Sequence, residues 1–495
     1  MYSFLISIVA LFAGYFIYGK LVERIFKPDP ARLTPAVEKA DGVDFVPMPT
    51  WKVFMIQFLN IAGTGPIFGA IMGAKFGPSC YLWIVLGSIL AGGVHDYFSG
   101  MISMRNGGAT LPELVGNELN KGSRIVILVF TTIVLLMVGT VFVYSPALIL
   151  GDIAGDGSTG SILLWTAIIL VYYIVATLLP VDKIIGKIYP IFAFALLFMA
   201  ASLMVCLFIH WPAIPELWDG LGNRAPSVGV TGQSIFPCLF ITVACGAISG
   251  FHGTQSPIMA RCLKNEKMGR PIFYGAMIVE GIVALIWAAV SSWFFFDGGM
   301  EACGLTKASA PQVVTAVSKH WLGILGSILA ILGVVAAPIT SGDTALRGAR
   351  LNIADFLHLK QDKIGKRLLV SVPIFVGVGL LLLFDVKYED GFNIIWRYFG
   401  LSNQMLATFM LGTATAYLVH KNPGGYQYLI TGIPAIFMFS VCMTFFCVDS
   451  TCLHLPALWT PCFGVMWAIA GIIHLGAFLQ KVRHNSYEGR RYNKQ

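Results

Sequence analysis

Stretches of about twenty mostly apolar residues recur along this chain from Tyr2 almost to its end, separated by short polar gaps. About twenty such residues are what a helix needs to cross the hydrocarbon core of a bilayer. With 57% hydrophobic side chains, 12% charged ones and a mean hydropathy of +0.77, the 495 residues carry more apolar surface than one water-soluble core can hide. The bilayer is the expected solvent, and no gap is long enough for a sizeable soluble domain. The first apolar run, residues 2–18, is placed like a secretory signal, but its basic residues Lys20, Arg24 and Lys27 follow it instead of preceding it. It reads as a retained helix.

Breaking the apolar runs at glycines, prolines and charges predicts thirteen spans in an all-α membrane protein. After residues 2–18 come 51–75, 79–104, 123–150, 161–180, 187–210, 233–262, 271–296, 320–346, 367–384 and 395–419, then 427–447 and 456–480. The loops between them alternate in charge. Basic loops hold Lys20 to Lys39, Arg105 to Arg124, Lys183 and Lys187, Arg261 to Arg270, Arg347 to Arg367, His420 and Lys421, and the tail Lys481 to Lys494. The intervening loops are neutral or acidic, as at Asp152, Asp156, Glu216, Asp219, Asp297, Glu301 and Asp449. By the positive-inside rule the N-terminus is expected outside and the C-terminus in the cytoplasm. The net charge of +8 is spread over alternate loops and forms no dense stripe interleaved with aromatics, so no nucleic-acid partner is expected. Ten scattered cysteines show no CxxC pair or metal-ligand spacing and read as small core residues, with a bridge between the loop residues Cys303 and Cys452 as an alternative.

The ten middle spans divide into two sets of five, and the first span of each is interrupted alike. One contains Asn60-Ile61-Ala62-Gly63-Thr64-Gly65-Pro66-Ile67-Phe68-Gly69; the other contains Gly246-Ala247-Ile248-Ser249-Gly250-Phe251-His252-Gly253-Thr254-Gln255-Ser256-Pro257. Glycine weakens a helix and proline removes a donor, so both runs are expected to unwind and expose backbone groups. Lipid cannot satisfy such groups, so they must face protein, water, ion or substrate. Paired breaks in corresponding spans are a sequence pointer to a transporter site, the alternative being close packing of small residues between helices. Amphipathic stretches also recur at matching places, Leu111 to Leu119 and Pro311 to Trp321, and five spans per set gives the halves opposite topology. The expected organisation is an N-terminal helix and cytoplasmic loop (1–50), inverted repeat one (51–210), an external connector (211–232), inverted repeat two (233–419), two further helices (420–480) and a cytoplasmic tail (481–495).

Ionisable groups inside spans are costly and are functional candidates by default. His95 and Asp96 lie late in the span 79–104, where Asp96 either carries a proton or cation or forms a structural pair with Arg105 or Arg347. Glu280 sits near the middle of its span, for proton transfer or as a neutral carboxyl bonded to a neighbouring helix. Thr340, Ser341, Asp343 and Thr344 crowd hard oxygens of the kind a small cation prefers, although hydroxyls also back-bond to helix carbonyls. A coupling ion, H⁺ or Na⁺, with a possible sodium near Asp343, is expected at these positions. Substrate contacts are expected from Asn60, Gly63, Thr64, Gly65, Ser249, His252 and Gln255 at the breaks. Arg397, Asn403 and Gln404 join them, with snorkelling of Arg397 to the outer interface as its alternative. No Walker motif is present, and Gly63-Thr64-Gly65 with Gly69 lacks the strand that a dinucleotide fingerprint needs. Neither an enzyme nor an organic cofactor is expected.

Several strings resemble the carbon starvation protein A (CstA) family: Gly65-Pro66-Ile67-Phe68-Gly69, Gly92-Gly93-Val94-His95-Asp96-Tyr97, Ser249-Gly250-Phe251-His252, Gln255-Ser256-Pro257, Thr340-Ser341-Gly342-Asp343-Thr344, and Trp396-Arg397-Tyr398-Phe399-Gly400 with Ser402-Asn403-Gln404. They fall in order on separate spans between Trp51 and Leu406. The resemblance implies a bacterial inner-membrane transporter induced on nutrient limitation, with peptides and pyruvate as family substrates and proton coupling for pyruvate uptake. It also implies kinship with the amino acid/polyamine/organocation carriers, which share a LeuT-like five-plus-five inverted repeat. The expected function is a cation-coupled symporter importing peptides or pyruvate-like carboxylates. Its rivals are a membrane-embedded nutrient sensor or scaffold with a transporter fold, and a channel.

Overall fold

The computed structural model describes residues 1–42, 44–178, 185–361, 363–388 and 391–492, and among these there is helix and loop but no strand. Lys183 of one expected basic loop, and Lys494 at the end of the tail, lie outside the described residues. Along the chain run α1 (Tyr2–Phe26), α2 (Thr50–Ile61), α3 (Thr64–Ala74), α4 (Ser79–Arg105), α5 (Leu111–Glu118), α6 (Lys121–Ala154), α7 (Thr159–Leu178) and α8 (Ile185–His210). The second half holds α9 (His252–Ala260), α10 (Glu266–Phe296), α11 (Ala310–Leu329), α12 (Ala336–Phe356), α13 (Ile364–Lys387), α14 (Gly391–Lys421), α15 (Leu429–Val448) and α16 (Thr460–Tyr492).

Among the described residues nine helices are long and apolar enough to cross a membrane, or up to eleven if each of two bent pairs is one span. The expectation was thirteen, and the difference lies in two places. The expected span 233–262 is helical only at its ends, Phe240–Thr242 and His252–Ala260 beside a π turn at Ile235–Leu239. The expected span 395–419 lies within the 31-residue α14, where Asn, Gln, Ser and Thr dilute the apolar run.

The core is centred on α10, whose apolar stretch is buried over most of its length, whereas that of α16 buries nothing and lies on the periphery. α1 packs along α10 through glycine: a Cβ on Gly19 would stand 3.1 Å from the Tyr274 ring. Its two ends are tied differently. The Glu216 carboxylate accepts the N–H groups of Tyr2 (2.9 Å) and Ser3 (2.6 Å), which fits an anion at a helix N-terminus. At the other end Arg105 donates to Lys27 O (2.7 Å) and Lys421 to Phe26 O (2.8 Å), so cations meet the negative end of the helix dipole.

The amphipathic connectors are capped helices with the same signature. The Thr110 N–H donates to Glu113 Oε2 (3.2 Å) at the start of α5, and the Ser309 N–H donates to Gln312 Oε1 (2.9 Å) at the start of α11, the same capping-box pattern. α11 then turns at Gly323, whose φ of 59° is a left-handed conformation that costs glycine nothing.

Candidate functional site

Both glycine-rich runs break their helices, but to different extents. In the first, only Ala62 and Gly63 leave the helix, and α2 and α3 meet at 48°. Gly63 is required by proximity, since a Cβ there would stand 2.8 Å from the Phe142 ring and 3.3 Å from Ser341 Oγ. Gly65, expected within the break, is already in α3. In the second, residues 243–251 form no regular helix, and α9 begins at His252.

The two breaks touch. A Cβ on Gly65 would lie 2.3 Å from Cys245 Sγ, and one on Gly69 would lie 2.9 Å from Thr242 O. The backbone groups freed in the second break are satisfied from neighbouring helices, as burial demands. Asn403 on α14 accepts the Phe251 N–H at Oδ1 (2.7 Å), and its carbonyl accepts the Gly250 N–H (3.2 Å). Its amide also donates to Ser249 Oγ (3.0 Å), while Gln404 donates to Phe240 O (3.2 Å) and Ser88 on α4 to Gly246 O (3.1 Å). Asn403, Gln404 and Ser249, expected as substrate contacts, thus hold the break open in this conformation. Asn60 Nδ2, Thr64 Oγ1 and Gln255 Oε1 are buried without a hydrogen-bond partner among the described residues.

Beside the second break four ionisable side chains form a buried chain. Asp96 Oδ1 lies 2.8 Å from His95 Nδ1 and Oδ2 lies 3.0 Å from His252 Nδ1; His252 Nε2 faces Glu280 Oε2 at 3.6 Å. All four side chains have no solvent exposure. Asp96 is brought here by a π-helical turn, Ser88–Gly92, which rotates the following segment of α4 toward α9. Gly253 lets the ring of His95 lie close, as a Cβ there would be 3.3 Å from it. The partner of Asp96 is a pair of imidazoles; Arg105, the structural partner considered above, bonds Glu266 instead (3.1 Å).

An ionised Asp96 can only accept, so with the carboxylate ionised both imidazoles would present Nδ1–H to it, and Nε2 of His252 is the ring nitrogen that faces Glu280. Their 3.6 Å separation exceeds hydrogen-bond reach, and both Glu280 oxygens lack a partner among the described residues. Glu280 and His252 therefore face each other without a hydrogen bond in this conformation.

The second oxygen-rich cluster, on α12, is satisfied. Asp343 Oδ2 accepts from Tyr189 Oη (2.9 Å), and Thr177 Oγ1 lies 3.5 Å from Oδ1. The hydroxyls bond back along their own helix: Thr340 to Ala337 O (2.7 Å), Ser341 to Ala337 O (3.0 Å) and Thr344 to Ser341 O (2.9 Å). Ser341 also donates to Leu59 O (3.0 Å) and Thr344 to Asn60 Oδ1 (3.3 Å), which clamps α12 to the turn before the first break. Arg397 stands apart from both clusters: it is 41% exposed, 3.8 Å from Asp449 Oδ1 and 3.5 Å from Ser450 Oγ. The sequence reading missed Tyr189, Thr177 and Ser88, since a tyrosine or hydroxyl in an apolar span carries no local sign of its partner. No group of three or more His, Cys, Asp or Glu that could hold a metal ion occurs among the described residues.

Many apolar helices, two broken ones in contact and buried ionisable groups beside them define a multi-pass membrane transporter. The comparisons narrow the class. The family described as Carbon starvation protein CstA matches residues 1–152, 147–324 and 297–445, and the chain belongs to that family. It is 27% identical over 559 residues to the peptide transporter CstA of Campylobacter jejuni, covering 88% of this chain and 78% of that one. It is 25% identical over 566 residues to the pyruvate/proton symporter BtsT of Escherichia coli, covering 86% and 78%. In fold it is similar to the manganese transporter of Eremococcus coleocola, with a TM-score of 0.55, 12% identity and coverage of 90% of this chain and 99% of that one. The protein is a transporter and not an enzyme.

Proposed function

We propose that this transporter imports peptides or pyruvate-like carboxylates by symport with a proton, the coupling proton being exchanged between Glu280 and His252. The observation that carries the reading is the buried Asp96–His252–Glu280 chain, in which Glu280 has no bonded partner among the described residues and lies against the second break. The names of the Campylobacter and Escherichia relatives support the substrates, and the latter supports the ion.

In this reading the substrate site opens where the breaks now touch, between Gly63–Gly65 and Gly246–Gly253, lined by Asn60, Thr64, Ser249, His252 and Gln255. The N-terminus of α9 would face the substrate carboxylate. The five-plus-five inverted repeat is part of the proposal, supported by the paired breaks and the two matching capping boxes. So is an inner-membrane orientation with the basic loops in the cytoplasm.

Uptake of labelled pyruvate and dipeptide into proteoliposomes, with and without imposed pH and sodium gradients, tests it. Accumulation that follows the pH gradient is expected; accumulation indifferent to pH would sink it. Sodium is the second reading, favoured by the oxygens of Thr340, Ser341, Asp343 and Thr344 beside Leu59 O, and uptake in sodium-free buffer at the full rate removes it.

A further inference from the structure

On the face that carries the basic loops, a second buried charge is incompletely satisfied. Arg350, near the end of α12, is fully buried, and among the described residues only its Nη1 has a hydrogen-bond acceptor, Gln361 Oε1 at 2.6 Å. Nε and Nη2 have none. These two nitrogens form one edge of the guanidinium, the edge whose parallel N–H bonds match the two oxygens of a carboxylate. Among the described residues the acid paired with it is Asp44, with Oδ1 3.6 Å from Nη2, too far for a hydrogen bond, and that oxygen too lacks a donor there. Buried charges left in this state are costly. The surroundings add cations: Arg261 and Arg367 approach the same place, Arg261 donating to Gly108 O (2.8 Å) and Arg367 to Gln361 O (2.8 Å).

Asp44 sits at a bend in a short non-helical strap that leads into α2. The Asp44 and Phe45 N–H groups turn back onto Asp41 Oδ1 (both 2.9 Å), the Asp41 N–H donates to Phe45 O (3.2 Å), Phe45 lies under the Arg261 guanidinium at 5.0 Å, and Met48 N donates to Cys262 O (3.1 Å). We propose that the free edge of Arg350 is a carboxylate-binding site on this face, which receives the substrate carboxylate on its way out when the strap carries Asp44 away. Asp44 is the resident carboxylate that the substrate displaces. The proposal rests on the carboxylate-transport reading above and extends it to a second site, beyond Thr344 toward the end of α12.

The test uses full-length protein. In inside-out membrane vesicles, exchange of labelled pyruvate reads the half-saturating concentration on the basic face, and right-side-out vesicles read the opposite face. Arg350→Lys and Arg350→Gln are expected to raise the basic-face value about tenfold or more, with a smaller shift on the other face. Asp44→Asn is expected to lower it several-fold, and Asp44→Asn with Arg350→Gln, which removes both buried charges together, returns the high value. Equal shifts on both faces, or none, overturn the site. Direct binding of acetate and pyruvate to purified Asp44→Asn protein separates this proposal from the transport reading: if no variant exchanges pyruvate, carboxylate binding lost with Arg350→Gln still supports the site. Absence of that binding overturns the site whatever the transport result. Displacement of acetate by inorganic phosphate at equal concentration would overturn the assignment to carboxylates and leave a general anion site.

Discussion

One cluster of buried acid adjoins the first break and another adjoins the second, and they are finished differently. Asp343 receives Tyr189 and Thr177, and the hydroxyls around it bond their own helix. Asp96 is likewise satisfied, by two imidazoles, but the chain it anchors ends at Glu280, whose oxygens have no hydrogen-bond partner among the described residues. A fully bonded carboxylate fixes helices; one that faces an acceptor beyond bonding distance can gain or lose a proton when the helices move. Density of polar residues in the sequence favours the Asp343 region, whereas the state of the bonds favours the His252 and Glu280 region.

Four substitutions can break this contrast. The largest effect is expected from Gly65→Leu, because a side chain there enters the space of Cys245 and wedges the breaks apart. Uptake should fall to background with the protein still inserted, and normal uptake would show that the breaks do not need to touch. Next is His252→Ala, which removes the proton acceptor facing Glu280 and the second partner of Asp96. Loss of general acid–base groups costs about 10²–10⁴-fold in rate, so gradient-driven uptake should drop by about two orders of magnitude. Asp343→Asn follows: Oδ1 of Asn can still accept from Tyr189, so the expected loss is about 1–2 kcal/mol of stability, read as a lower melting temperature, with uptake down a few-fold. Its pH profile should keep the wild-type shape; a shifted profile would move coupling to Asp343. Smallest is Arg397→Gln, since an exposed pair with Asp449 is worth about 0–1 kcal/mol. A large rise in KM for this variant would return Arg397 to the substrate path.

Most of the spans and both helix breaks were legible because each follows from local chemistry, apolar length for the one and glycine with proline for the other; the spans 233–262 and 395–419 were not, since unwinding and polar side chains interrupt their apolar length. The matching capping boxes, Thr110-Leu111-Pro112-Glu113 and Ser309-Ala310-Pro311-Gln312, were equally local and stand as an unused sequence signal. What the sequence withheld was pairing. His252, Asp96 and Glu280 come from three helices, and 156 residues separate the first two. Nothing in the string around Asp96 says that its partners are imidazoles and not Arg105. Asn403 and Gln404 read as path-lining amides because a freed backbone group that needs an amide is visible only once the break is folded. Arg397 lies beside Ser450 and Asp449, and Tyr398 donates to Thr451 O, contacts that no local pattern in the sequence announces.

The central claim is that the proton between Glu280 and His252 drives transport. One measurement addresses it: accumulation of labelled pyruvate in proteoliposomes under an imposed pH difference of one unit, wild type against Glu280→Gln, with pyruvate exchange at equal pH measured in the same preparations. One proton per substrate and one pH unit supply about 1.4 kcal/mol, enough for about tenfold accumulation. The account predicts that wild type approaches this and that Glu280→Gln exchanges pyruvate without accumulating it. Accumulation by Glu280→Gln equal to wild type would contradict it.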